Sequence, residues 1–205
     1  MKNVLLCGGA GYIGAHMLKM LAQRGYEVTV FDNLSTGHRA AVRWGQFVEG
    51  DILDRGALDR LFASRHIDVV VHFCALSQVG ESVRDPYKYY RNNVAGTLTL
   101  LEAMRAADVN KLVFSSTAAV YGVPINDELL SEPHPANPIN PYGASKLMVE
   151  RMLEDASRAY GLRSVILRYF NAAGADLEGI SANRTYPKRT LFQTCCVWRS
   201  DLANH

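Results

Sequence analysis

The sequence predicts an α/β fold, a doubly wound parallel sheet with helices on both faces. Short β-branched runs alternate with longer amphipathic stretches, and those stretches are long enough for right-handed crossovers between parallel strands. The chain has 205 residues, 48% of them hydrophobic and 20% charged. That is enough for one sizeable core and excludes a disordered chain or a disulfide-stapled miniprotein.

The elements follow in order. Asn3–Cys7 is an apolar run cut short by glycine, so it reads as a buried strand and not as a signal peptide. Ile13–Arg24 has helical spacing, and Glu27–Phe31 and Gln46–Glu49 read as the next strands. Asp54–Ser64 is the second helix and Val69–Phe73 the fourth strand. The apolar run from Val69 to Leu76 is broken by His72 and is far too short to span a bilayer. A looser connection from Cys74 to Tyr90 leads to a helix over Asn93–Ala107 and a strand over Leu112–Ser115. Asn126–Asn140 carries Pro133, Pro135 and Pro138 and is a loop; a helix follows over Tyr142–Tyr160, then a strand over Ser164–Tyr169.

The pattern changes near Gly179. Residues 1–179 hold 18 Lys and Arg against 19 Asp and Glu, whereas Arg184, Lys188, Arg189 and Arg199 face only Asp201 beyond Ile180. The tail follows neither helical nor strand spacing for long, so residues 1–179 form the domain and 180–205 a tail expected to be poorly ordered. The net charge of +2 gives no field that argues for nucleic acid or an anionic membrane. Cys7, Cys74, Cys195 and Cys196 have neither zinc-like nor disulfide-framework spacing, so no metal is expected and a reducing, cytoplasmic setting is the default.

Three clusters carry chemistry. The first strand runs into Cys7-Gly8-Gly9-Ala10-Gly11-Tyr12-Ile13-Gly14 and then a helix. Gly9, Gly11 and Gly14 fit G-x-G-x-x-G, and Gly8, Gly11 and Gly14 fit G-x-x-G-x-x-G. A side chain here would block the turn or hold a pyrophosphate away from backbone N–H groups, which makes the domain Rossmann-type. The second strand ends in Asp32, where an acid accepts both ribose hydroxyls and repels a 2′-phosphate; no arginine follows directly, so NAD is favoured over NADP. Asp51 after the third strand either accepts from the adenine amino group or caps a helix, and Asn92 is either a cofactor-facing amide or another cap. Tyr142 and Lys146 lie four apart on one helix face, where an ammonium favours the phenolate. Ser115-Ser116-Thr117 ends a strand, at the edge that faces the ligand crevice in such folds.

These residues resemble the extended short-chain dehydrogenase/reductase superfamily and, within it, the UDP-glucose 4-epimerases. The resemblance covers Met1 to about Gly179. Its general features are the glycine turn and Tyr-x-x-x-Lys. Its more specific ones are Phe31 to Gly37, Val79-Gly80-Glu81-Ser82, Tyr89 to Val94, Phe114 to Gly122 and Tyr169 to Ala175. Related dehydratases place an Asp-Glu pair after the strand-end threonine; here Ala118-Ala119 follow Thr117.

The resemblance implies that Tyr142, as phenolate, takes the proton from the sugar 4-hydroxyl while hydride passes from C4 to NAD. The 4-ketose then turns over and takes hydride back on its other face. Lys146 lowers the tyrosine pKa and holds the nicotinamide ribose, and Thr117 positions the hydroxyl. By the same residue matching, Gly8, Gly11, Tyr12, Ile13, Gly14, Asp32, Asn33, Asp51, Ile52, Phe73, Cys74, Ala75, Asn92 and Phe170 serve the cofactor, and Asn171 touches the sugar. At position 77, where some members carry a lysine near the nicotinamide, this chain has Ser77. The substrate would be UDP-glucose or UDP-galactose, and a homodimer is compatible with the resemblance.

Family members continue where this chain stops at His205, so the implied form is C-terminally truncated, with the substrate domain largely missing. Codons for Tyr186 to Cys196 can be chosen so that a shifted frame reads Pro-Glu-Thr-His-Leu-Ile-Pro-Asn-Val-Leu, which resembles the family's continuation. The tail is therefore read as out of frame. Two alternatives stand beside the epimerase: a non-catalytic NAD-binding remnant, and another NAD-dependent nucleotide-sugar oxidoreductase or dehydratase.

Overall fold

A computed structural model describes residues 2–125 and 129–174 and the backbone of Cys196–Ser200. Strands β1 (Asn3–Cys7), β2 (Glu27–Asp32), β3 (Gln46–Glu49), β4 (Val69–His72), β5 (Lys111–Thr117) and β6 (Arg163–Tyr169) form a parallel sheet. A seventh, β7 (Cys196–Ser200), pairs antiparallel to β6, and the order is β3-β2-β1-β4-β5-β6-β7. Sequence spacing predicts no element at Cys196–Ser200; the rest of the tail lies outside the described residues.

The order reverses at β1, which has β2 on one side and β4 on the other. At such a switch point the connections leave in opposite directions, and the strand ends open a crevice. β1 is buried on both faces, which is why it reads as a continuous apolar run and not an alternating one.

The helices are α1 (Tyr12–Gln23), α2 (Arg55–Ser64), α3 (Val79–Arg84), α4 (Pro86–Tyr89), α5 (Gly96–Ala106) and α6 (Pro141–Tyr160). On one sheet face Leu58, Leu100, Met104, Val149 and Leu153 of α2, α5 and α6 meet Leu5, Val70, Leu112 and Phe114. On the other, Leu18 of α1 packs with Val4, Leu6, Val30 and Val71. Each such buried aliphatic side chain contributes about 1.5–3 kcal/mol.

The connection expected to be loose after β4 is instead helical: α3, α4 and a π-helical turn over Tyr90–Ala95 run into α5. α6 is fixed at both ends. Asn140 accepts from the Gly143 N–H at 2.8 Å, Pro141 opens the first turn, and Gly161 closes the helix at φ 68°.

Candidate active site

The glycine turn divides its labour. A Cβ on Gly8 would stand 2.7 Å from the Cys74 nitrogen, and one on Gly14 2.1 Å from the Gly8 carbonyl oxygen. Those two glycines are therefore required by the protein's own packing. Gly9 would meet the Val30 side chain, again inside the protein. Gly11 differs: its Cβ would meet only the Gly8 oxygen, at 3.4 Å, and its backbone is extended. As N-cap of α1 it offers no side-chain cap, and no acid lies in the first turn. The N–H groups of Tyr12 and Ile13 thus open a helix with space in front of them, suited to a phosphate.

Asp32 is buried at the end of β2 and binds the turn from behind. One carboxylate oxygen accepts from the Ala10 N–H at 3.0 Å and the other from the Leu34 N–H at 2.8 Å. Asn33 is exposed and donates to Asp51 at 2.8 Å, so two polar residues expected to serve the cofactor stand together. Asp51 also accepts from the Leu53 N–H, in a local turn; the cap of α2 is Asp54, which accepts from the Ala57 N–H. Ile52 turns its side chain into the core against Gly96, which leaves only its backbone for a ligand.

Phe73, Cys74 and Ala75 are half-buried where β4 ends, directly beside Gly8. Burial first, and the neighbouring thiol and carboxylates after it, hold the Cys74 thiol well above its ordinary range. Asn92 lies in the π-helical turn, not at a helix start, and donates to Asn93.

Asn93 is the residue that sequence reasoning missed. It is buried, accepts from the Leu76 N–H, and donates to the Leu76 carbonyl and to Ser145 Oγ, while Ser145 donates to the Tyr142 carbonyl. One amide thus ties the strand-four loop to the first turn of α6. Its one visible signal was the polar pair Asn92-Asn93 inside a helical run, and π-helical turns of this kind cluster at functional sites.

The residues expected to carry the chemistry lie around the start of α6. A Cβ on Gly143 would fall 2.6 Å from the Ala119 oxygen, so the first turn of α6 sits tightly on the turn after β5. That seat brings half-buried Tyr142 to the same end of the sheet as Thr117. Thr117 is buried and its oxygen accepts from the Ala119 N–H at 3.2 Å, which leaves its O–H proton to donate. Lys146 is buried; its Nζ donates to the Ser115 carbonyl at 2.8 Å and lies 4.7 Å from the Phe114 ring centre. Ser115 and Ser116 do not join Thr117: their hydroxyls pair with Tyr169 and Glu150. Phe170 and Asn171 are exposed just past β6, and Tyr12 donates to the Gly174 carbonyl at 2.7 Å, linking that segment to the glycine turn.

Burial pulls Lys146 down to about 7, against the opposing pull of Cys74 and Glu150. Its free-lysine value is 10.5, so the unfolded chain holds the proton throughout the interval between those values while the fold releases it. Stability must then rise with pH from about 7 toward 10.5 and lose this contribution as pH falls through 7. Urea denaturation of ligand-free wild type and Lys146→Met over that interval checks this: the wild type should gain on the variant as pH rises. A constant difference would contradict a depressed lysine.

The comparisons with known proteins concern the family and the fold. A family model described as "NAD dependent epimerase/dehydratase family" matches residues 4–193. A UDP-glucose 4-epimerase of Rhizobium leguminosarum bv. trifolii is 56% identical over 178 residues, which is 87% of this chain and 54% of the relative. The crystal structure of UDP-glucose 4-epimerase from Brucella ovis in complex with NAD superposes with TM-score 0.85 at 55% identity, covering 87% of this chain and 55% of that one. The Bifidobacterium longum UDP-glucose 4-epimerase with NAD+ and UDP gives TM-score 0.85 at 38% identity, covering 88% and 57%. The chain spans about half the length of the curated relatives it matches.

Proposed function

The chain belongs to the NAD dependent epimerase/dehydratase family, and from that membership we propose that it is a UDP-glucose 4-epimerase-type protein acting with tightly bound NAD on UDP-glucose and UDP-galactose. One observation carries the reading. Lys146 is buried and bonded to the Ser115 carbonyl, one helical turn from Tyr142 and at the strand end that holds Thr117.

The fit to NAD rests on the space in front of Gly11 and on Asp32 behind it. Gly11, Tyr12 and Ile13 would receive the pyrophosphate, Asp32 the adenosine ribose, Asn33 and Asp51 the adenine end. Phe73 to Ala75, Asn92 and Phe170 would line the rest. When bound, NAD supplies the hydride acceptor and donor. Tyr142 takes the proton from the 4-hydroxyl and returns it, Lys146 stabilises its phenolate, and Thr117 and Asn171 orient the sugar. Ala118 and Ala119 place no carboxylate after Thr117, which speaks against a dehydratase.

Exposed Val83, Tyr87, Leu98 and Met148 on α3 to α6 support a homodimer, to be measured by sedimentation velocity. Free Cys7 and Cys74 suit a reducing cytoplasm. Among the described residues no helix is long and apolar enough to cross a membrane.

A second reading is an NAD-binding chain without turnover, since the space at Gly11 and the buried Asp32 would serve the cofactor whether or not Tyr142 moves a proton. Purified protein should be assayed for bound NAD and for conversion of UDP-galactose. NAD without turnover selects the second reading, and turnover eliminates it.

A further inference from the structure

Arg168 lies in the apolar run of β6 yet is buried, at 5% exposure. Its Nε donates to both oxygens of Glu150 at 3.0 and 3.1 Å, its Nη2 donates to one of them, and Ser116 Oγ donates to the other. The guanidinium also stands 4.8 Å from the Tyr121 ring centre. Glu150, at 1% exposure, has both oxygens engaged.

Glu150 is on α6, one turn beyond Lys146, and an acid and a lysine at that spacing ordinarily pair. Among the described residues they do not. Glu150 is held by Arg168 and Ser116, and Lys146 bonds the Ser115 carbonyl. Around Lys146, His72 from β4 is kept neutral by burial, at about 3, and Cys74 is kept neutral likewise; Phe114 presents only its ring. Glu150 is therefore the carboxylate that would capture the ammonium if it were released.

We propose that Arg168 is a positioning residue that holds Glu150 away from Lys146, leaving the ammonium to serve Tyr142 and the ligand in the crevice. The rigid fork engages both carboxylate oxygens, as a lysine in its place would not. The consequence for turnover rests on the function proposed above; the geometry of the pair does not.

The test follows Lys146 itself by side-chain NMR across the neutral range, in wild type, Arg168→Met, Arg168→Lys, Glu150→Gln and the double variant Glu150→Gln/Arg168→Met. Arg168→Met should move the lysine titration upward from about 7, because the freed carboxylate pairs with it. Arg168→Lys keeps the positive charge, so an upward shift there reports the freed carboxylate and not a lost cation; it also serves where the methionine variant does not fold. Glu150→Gln should move the titration down, and the double variant should not rise. In turnover, Arg168→Met should fall about 10²-fold with NAD retained, as for a displaced catalytic group, and the double variant should recover. An unchanged titration in Arg168→Lys, or a rise in the double variant, overturns the proposal. A wild type without turnover removes the epimerase reading, while the titration still decides the role of Arg168.

Discussion

Tyr142→Phe should keep NAD and lose most turnover, by about 10²–10⁴-fold, the usual contribution of a positioned general base. The change removes one hydroxyl from a half-buried ring in the first turn of α6, whose cap is Asn140 and whose seat is Gly143 against Ala119. None of those contacts involves the phenol, so the helix start should survive. The Lys146 ammonium would remain on the Ser115 carbonyl with no phenolate to stabilise. Stopped assays on UDP-galactose, with bound NAD measured in the same sample, separate the two effects. A wild-type rate at neutral pH would mean that another group moves the proton. Loss of NAD together with turnover would mean that the substitution reached further than the phenol.

The second large effect is a contrast between two glycines in one turn. Gly14→Ala should destabilise the domain by about 1–3 kcal/mol, the cost of overpacking a close contact. Its Cβ would lie 2.1 Å from the Gly8 oxygen and 2.7 Å from the Gly9 Cα, which are backbone atoms that cannot swing aside. Gly11→Val should disturb thermal stability far less than Gly14→Ala, because only one atom, the Gly8 oxygen at 3.4 Å, lies within 4 Å of an added Cβ. It should still abolish NAD binding and leave NADP binding no better. Each charge-assisted hydrogen bond withheld from the pyrophosphate is worth about 1.5–3 kcal/mol, so losing two reduces affinity at least about a hundredfold. Melting curves and NAD titrations on both variants give four readings. Normal NAD affinity in Gly11→Val would remove the phosphate cradle from the account.

Much of this was legible in the sequence because it is local. Strand and helix periods, the glycine spacing, Asp32 at a strand end and the pair Tyr142–Lys146 all depend on neighbours a few residues away. What escaped depends on distant partners. Asn93 looks like a helix residue until Leu76 and Ser145 are brought to it. Arg168 looks like a lapse in an apolar strand until Glu150 faces it. Asp51 reads as a cap or a ligand for adenine until its carboxylate is seen to hold the Leu53 N–H and Asn33, with Asp54 capping the helix. Ser115, Ser116 and Thr117 differ in their partners, Tyr169, Glu150 and the Ala119 N–H, which no composition reveals.

The approach of Gly8 to the Cys74 backbone has a consequence for how the molecule is made. The turn between β1 and α1 leaves the ribosome well before β4, yet its back wall is supplied by the chain just after β4. β1 must wait for Val69–His72 to arrive beside it, a pairing between segments far apart in sequence, and such pairings form slowly. A nascent chain that has synthesised only the β1 to β3 half therefore carries the glycine motif without a finished cradle. Cofactor binding during refolding reports the docking of the fourth strand rather than the formation of the motif. Because a ligand that binds only the native state stabilises it by mass action, NAD in the refolding medium should favour chains that have completed that step.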